Sequence, residues 1–355
     1  MSFWEKSMSC FRRTIALALV AAVTLAAGYG DSAGAKKPKP QFQIKFATLA
    51  PEGSTWMKSM HAIDDEVRRR TENRLGFKFY PGGVQGDEKK VLRKIRNGQL
   101  HGGGFTGFGL GSVVSEVRVQ ELPFMFESLD ELDYLREQTD SYFFDAFGDK
   151  GFEHLGWADV GFIYVFSKNP VRSPGEMQKA KMWIWAGDPL AELFFKAFGI
   201  SPIPLSAPDV LTSLQTGVID AVYGSSLACV ALQWFTRVNY MSDVPVTHGL
   251  GAALVSKKAL GKVDPADVEI LIEVSRPLLL ELSKKTRVQN VEAVEEMKKE
   301  GVEVLEIQDT VRAEFFRTGR SAWGDGVGTL YSQDLLDHIT ALLEEYRGGR
   351  ANAAP

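Results

Sequence analysis

The chain has 355 residues, 45% of them hydrophobic and 24% charged, the composition of a globular protein and not of a disordered or fibrous one. Its length fits two domains, because single cores seldom grow past about 250–300 residues. A formal net charge of −4 argues against nucleic acid as a partner, since a phosphate backbone is matched by a basic surface.

Lys6, Arg12 and Arg13 precede the apolar run Ile15–Leu25, and small residues ending in Ala33-Gly34-Ala35 follow. Basic, then apolar, then A-x-A is the pattern of a secretory signal peptide over residues 1–35. The apolar run is too short to span a bilayer comfortably. The mature chain is therefore expected to start at Lys36 and to be soluble and exported. Cleavage takes Cys10 and leaves Cys229 alone, so no intrachain disulfide can form; Cys229 reads as a buried small hydrophobe.

Residues 36–41 form a polar linker. Gln41–Phe46 alternates polar and apolar, which predicts a strand. Ser54 caps a helix that runs to about Thr71, with Trp56, Met60, Ile63 and Val67 on one face. A strand over Phe77–Tyr80 and a helix over Glu88–Arg96 follow. Further on, strands are expected at Gly161–Phe166, Met182–Trp185, Val218–Tyr223 and Val302–Glu306. Helices are expected at Leu190–Phe198, opened by Asp188-Pro189, at Asp209–Thr216, and at Leu335–Tyr346. Residues 264–300 are almost purely helical in pattern, with Pro277 expected to kink or break them. Residues 347–355 read as a disordered tail. The alternation of strands and helices makes the fold α/β.

Gly102-Gly103-Gly104-Phe105-Thr106-Gly107 fits G-x-G-x-x-G. It follows a helix and a turn, not a first strand, so it reads as a ligand-facing glycine loop and not as a dinucleotide site. None of the five His forms H-x-x-x-H or joins a Cys pair, so no metal site is expected. Outside the expected signal segment there is no G-x-S-x-G elbow, P-loop lysine or nucleophile–base set; no catalytic residue and no cofactor is expected.

The aromatic residues carry more. Trp56 follows the first strand and turn, and Phe105 and Phe108 sit in and after the glycine run. Phe162 and Tyr164 are two apart on one strand and so share a face, as do Trp183 and Trp185. Tyr223 ends a strand, and Trp234 follows. Ligands of α/β proteins bind at the carboxyl ends of the strands, so the set suggests a partly apolar cleft. For any single ring, core packing is the plainer reading.

The chain resembles the solute-binding components of tripartite ATP-independent periplasmic (TRAP) transporters, the DctP family. The resemblance spans roughly residues 42–320. It rests on Ala47-Thr48-Leu49-Ala50-Pro51-Glu52-Gly53-Ser54, Tyr80-Pro81-Gly82-Gly83-Val84-Gln85-Gly86-Asp87-Glu88 and Glu121-Leu122-Pro123-Phe124-Met125-Phe126, and most strongly on Pro204-Leu205 through Ile219-Asp220. It implies a two-lobed, periplasmic-binding-protein-like α/β fold that closes on a solute in the periplasm, with a long helix spanning both lobes. Lobe I is expected over 42–162 and 249–275, and lobe II over 163–248 and 276–346. The implied partners are a small-molecule ligand and the TRAP membrane permease subunits.

Many members carry K-x-R on one strand, whose Arg clamps the solute's carboxylate. Here the stretch reads Lys181-Met182-Trp183, a form that resembles a subgroup linked to helical-repeat periplasmic partners. The expected ligand is therefore more apolar than a small diacid. Thr48, Tyr164, Tyr223 and Ser225 are expected to hydrogen-bond it, and Trp56, Phe105, Thr106, Phe108, Phe162, Trp183, Trp185 and Trp234 to surround it. The alternatives are a small carboxylate held without the Arg clamp, an exported enzyme using the same cleft, and a structural protein of the envelope.

Overall fold

The computed structural model describes residues 38–353; the expected signal segment 1–35, with Cys10, lies outside the described residues. Phe42–Ala47 forms β1, which buries Ile44 and Phe46. Ser54 accepts from the Met57 amide and so caps Thr55–Arg70 (α1), whose Met57, Met60, Ile63 and Val67 turn inward. Leu75–Tyr80 (β2), Glu88–Arg96 (α2), Gly102–Thr106 (β3), Gly107–Gly111 (α3), Leu129–Asp149 (α4) and Phe152–Trp157 (β4) complete the first half. Gly161–Ser167 (β5), Pro174–Met177 (α5), Trp183–Trp185 (β6), Pro189–Ala197 (α6), Ile203–Leu205 (β7), Val210–Thr216 (α7), Ala221–Ser225 (β8), Ser226–Ala231 (α8), Tyr240–Ser242 (β9) and Thr247–Gly249 (β10) follow. Gly251–Ser256 (β11), Lys257–Leu260 (α9), Pro265–Lys299 (α10), Glu303–Leu305 (β12), Asp309–Ser321 (α11) and Gln333–Ala353 (α12) close the chain.

The strands form two main sheets. The first has the order β2-β1-β3-β11-β4 and the second β10-β5-β9-β12, with β8 also paired to β5. A short parallel pair, β6 and β7, adjoins the second sheet through a bridge between Met182 and Ala221 of β8. The chain passes from the first sheet to the second at Ala158–Val160 and back at Gly249–Gly251. These two crossings run side by side, with the Ala158 amide donating to the Gly251 carbonyl at 2.7 Å and the Val160 amide to the Gly249 carbonyl at 3.2 Å. This is the two-lobed α/β architecture expected from the sequence.

Four expectations are corrected. The glycine run 102–104 is a strand paired to both β1 and β11, not a loop. Glycine is a poor strand former, but a Cβ at Gly104 would overlap the Trp56 ring and one at Gly102 the Leu254 carbonyl, so close packing decides. Pro277 does not break α10, because Leu271, Val274, Leu279 and Leu282 keep one buried stripe across it. Leu279 and Leu282 share a core with β1 and β2, and Leu335, Leu336, Ile339 and Leu343 of α12 share one with α4. The segment 276–346 therefore does not belong wholly with the second sheet. Residues 347–353 continue α12 as helix, held where Arg347 pairs with Glu131 at 2.8 Å and donates to the Met125 carbonyl. Long-range ion pairs from Arg347 to Glu127 and Glu131 leave no periodicity to read in the sequence. The helix α4 also went unpredicted, because it buries Glu131, Arg136 and Thr139 among its apolar residues and so shows no clean stripe.

Candidate functional site

A cavity of about 520 Å³ lies where the two sheets face each other. From the first sheet's side, Thr48 after β1, Trp56 on α1, and Phe105, Thr106 and Phe108 at the β3–α3 junction line it. From the other side, Trp183 and Trp185 of β6, Tyr223 and Ser225 of β8, and Trp234 line it. Phe162 and Tyr164 do not. Strand β5 turns Ile163 and Val165 to the cavity instead, while Phe162 packs on His248 with ring centroids 5.6 Å apart. Alternation shows which side chains share a face, but not which face meets the cavity.

Trp183 is the floor of the second side and not a free apolar face. Only 2% of it is exposed. Its ring stacks on Tyr223 at 4.9 Å and meets Trp234 edge-on at 5.4 Å. Its indole N–H donates to the Leu205 carbonyl at 3.1 Å. Tyr223 in turn accepts from the Trp185 amide, and burial, then the nearby Asp188, raises its hydroxyl's pKa.

Trp185 bridges the cleft. Its indole N–H donates to both carboxylate oxygens of Asp87, at 2.8 and 3.0 Å, and its ring stacks on Phe108 at 4.9 Å. Two further contacts reach the same segment. Lys89 Nζ donates to the Gly187 carbonyl at 2.9 Å, and Arg118 pairs with Asp188 at 3.0 Å. Asp87 is also the N-cap of α2 and Asp188 the N-cap of α6, so each carboxylate is fixed by its helix before it meets its partner.

The charged lining was not foreseen as a group. Arg118 comes from the short helical turn Ser115–Glu121 and is the one cation among the cavity-lining residues. Besides Asp188 it meets Glu121 at 2.8 Å, an ion contact too bent for a hydrogen bond. Burial alone would lower the Arg118 pKa, but Asp188 and Glu121 outweigh it and raise it. Burial raises the Glu121 carboxyl, with Arg118 and the donating Leu250 amide opposing. The sequence held one hint: Arg118 and Glu121 stand three apart, within reach of each other on a helical turn.

Glu88, only 2% exposed, also lines the cavity. It accepts from the Thr106 amide at 2.8 Å and lies 3.0 Å from the Thr106 hydroxyl. Burial, aided by the neighbouring Asp87 charge, pushes its pKa up to about 8. Near the chain crossings, Asp159 is held by Arg136 and Arg287, and His248, buried without a hydrogen-bond partner, has its pKa lowered to about 4, chiefly by burial. Cys229 is buried in the core beneath Trp183 and Trp234, and burial raises its thiol pKa.

A family model described as bacterial extracellular solute-binding protein, family 7 (DctP), matches residues 46–326. A solute-binding protein of Chromohalobacter salexigens is 23% identical over 287 residues, 79% of this chain and 81% of the relative. Two solved structures share the fold. A TRAP periplasmic solute binding protein from Xanthobacter autotrophicus with bound β-D-galacturonate superposes with a TM-score of 0.79 at 19% identity, covering 84% of this chain and 99% of that one. One from Sulfurospirillum deleyianum with bound succinate also gives 0.79, at 16% identity, covering 85% and 99%.

Proposed function

The chain belongs to the bacterial extracellular solute-binding protein family 7, and from that premise we propose that it is exported behind residues 1–35 to the periplasm, where it receives a mainly apolar ligand for delivery to TRAP permease subunits. Its task is binding and not catalysis, as in the family's other receptors. The single observation that supports an apolar ligand is the state of Arg118. It is the one cation of the lining, and Asp188 and Glu121 already neutralise it. A carboxylate taken from water into such a cavity needs a cation with free donors, because an unpaired buried charge is expensive. At the β6 position, Trp183 has its only donor committed to Leu205. The remaining wall is largely aromatic and aliphatic, with Ile163, Val165, Leu190, Phe194 and Phe195 adding to the rings.

The second reading is a small carboxylate, as bound by the galacturonate and succinate proteins. It would require the ligand to displace Asp188 or Glu121 from Arg118. Calorimetry with succinate and galacturonate, beside mass spectrometry of whatever the purified protein releases on denaturation, tests the choice. The expected result is no measurable heat with either acid and an apolar molecule in the extract. Tight binding of either acid would overturn the apolar reading.

A further inference from the structure

We propose that Glu88 and Thr106 form an uncharged hydrogen-bond donor subsite, in which Glu88 holds a proton against Thr106 Oγ1 and the freed Thr106 hydroxyl donates to a neutral carbonyl oxygen of the ligand. The proposal rests on the apolar-ligand reading above and adds which polar end the ligand carries.

The geometry comes first. Glu88 Oε1 accepts from the Thr106 amide at 2.8 Å, and Oε2 lies 3.0 Å from Thr106 Oγ1. Space for this carboxyl exists because residue 109 is glycine; a Cβ there would overlap Oε2. No cation meets it. On its own helix, Asp87 adds a second negative charge beside it, and Lys89 is drawn to the Gly187 carbonyl. From the elements beyond, Arg118 is closed by Asp188 and Glu121. Burial without a cation favours the neutral acid; the Thr106 and Gly109 amides and the Thr106 hydroxyl favour the carboxylate, and burial outweighs them.

Proton placement then determines recognition. In the neutral acid, Oε2–H donates to Thr106 Oγ1, so the hydroxyl proton of Thr106 is free for the cavity. In the carboxylate, that hydroxyl turns inward to donate to Oε2 and offers the cavity only lone pairs. A second observation points the same way: the ring of Trp56 lines the cavity, and its indole N–H is buried without a hydrogen-bond partner. An uncharged hydroxyl donor in an apolar cavity whose lining cation is already paired matches a ketone, ester or amide oxygen and not a carboxylate.

The test uses acetophenone and ethylbenzene, which have similar shapes and differ in the carbonyl. Their affinities would be measured by calorimetry between about pH 6.5 and pH 9.5 on the wild-type protein, Glu88→Gln and Thr106→Val. The expected ketone preference in the wild type is about 2- to 12-fold at the acid end, shrinking as the pH rises through the Glu88 titration. Glu88→Gln, whose amide can only donate to Thr106 Oγ1, should remove the pH dependence. Thr106→Val should bring the two affinities together. In parallel, the infrared C=O band of a protonated carboxyl should be present at neutral pH in the wild type and absent in Glu88→Gln. Ethylbenzene binding with no ketone preference, a preference that survives Thr106→Val, or absence of the band would each overturn the subsite while leaving the apolar cavity standing. If neither probe bound, the apolar reading itself would fall, and the subsite with it.

Discussion

Replacing Asp188 by Asn tests whether neutralisation of Arg118 is what keeps anions out. Asn preserves shape and remains a good N-cap for α6, where Asp188 accepts from the Leu190 amide at 3.1 Å. What changes is the charge set against Arg118, which Asp188 meets through two oxygens at 3.0 and 3.1 Å. Removing one member of a buried pair can cost about 3–5 kcal/mol. Glu121 remains 2.8 Å from the guanidinium, so the loss should be smaller, about 2–3 kcal/mol in urea unfolding. The same change leaves Arg118 with donors to offer. A charge-assisted hydrogen bond contributes about 1.5–3 kcal/mol, so succinate affinity should rise about 10- to 150-fold over the wild type. Calorimetry with succinate on both proteins, with folding checked by circular dichroism, reads this directly. Tight succinate binding by the wild type, or no gain in the folded variant, would refute the reasoning.

Trp185→Phe keeps the stack on Phe108 but loses the indole N–H that reaches Asp87 across the cleft; small-angle scattering should give a larger radius of gyration than for the wild type, and an unchanged radius would count against a bridging role. Trp183→Ala removes a buried ring stacked between Tyr223 and Trp234, so thermal unfolding should show a stability loss of about 3–5 kcal/mol, and a smaller loss with a large drop in ligand affinity would mean that the ring faces the ligand. His248 is lowered to about 4 in the folded protein, so the unfolded chain takes up its proton first. Its contribution should be constant above about pH 6.5 and decline as the pH falls from there to about 4, and His248→Phe should flatten that limb of the stability profile. Peptide sequencing of the exported protein should find Lys36 first, whereas an intact Met1 would contradict the signal peptide.

Local pattern was enough for much of this protein. Alternation located β1, the 3–4 spacing of Met60, Ile63 and Val67 located α1, and the caps at Ser54 and Asp188 marked where helices begin. Each depends on residues within one or two turns of one another, so the periodicity is written along the chain. The order of short motifs around Thr48, Asp87, Pro123 and Asp209 pointed to the family that residues 46–326 match. Many of the cavity's rings were also legible, since α/β folds bring ligands to strand ends.

Tertiary structure decided the rest. It chose Ile163 and Val165 over Phe162 and Tyr164 for the cavity, because a strand's pattern does not say which of its faces looks inward. It made the glycine run a central strand, since only there can Trp56 and β11 approach so closely. It neutralised Arg118 with Asp188, 70 residues away, and buried Glu88 away from every cation of the described residues. A charge's effect on a ligand is set by its burial and by partners distant in sequence, and neither is present until the chain has folded.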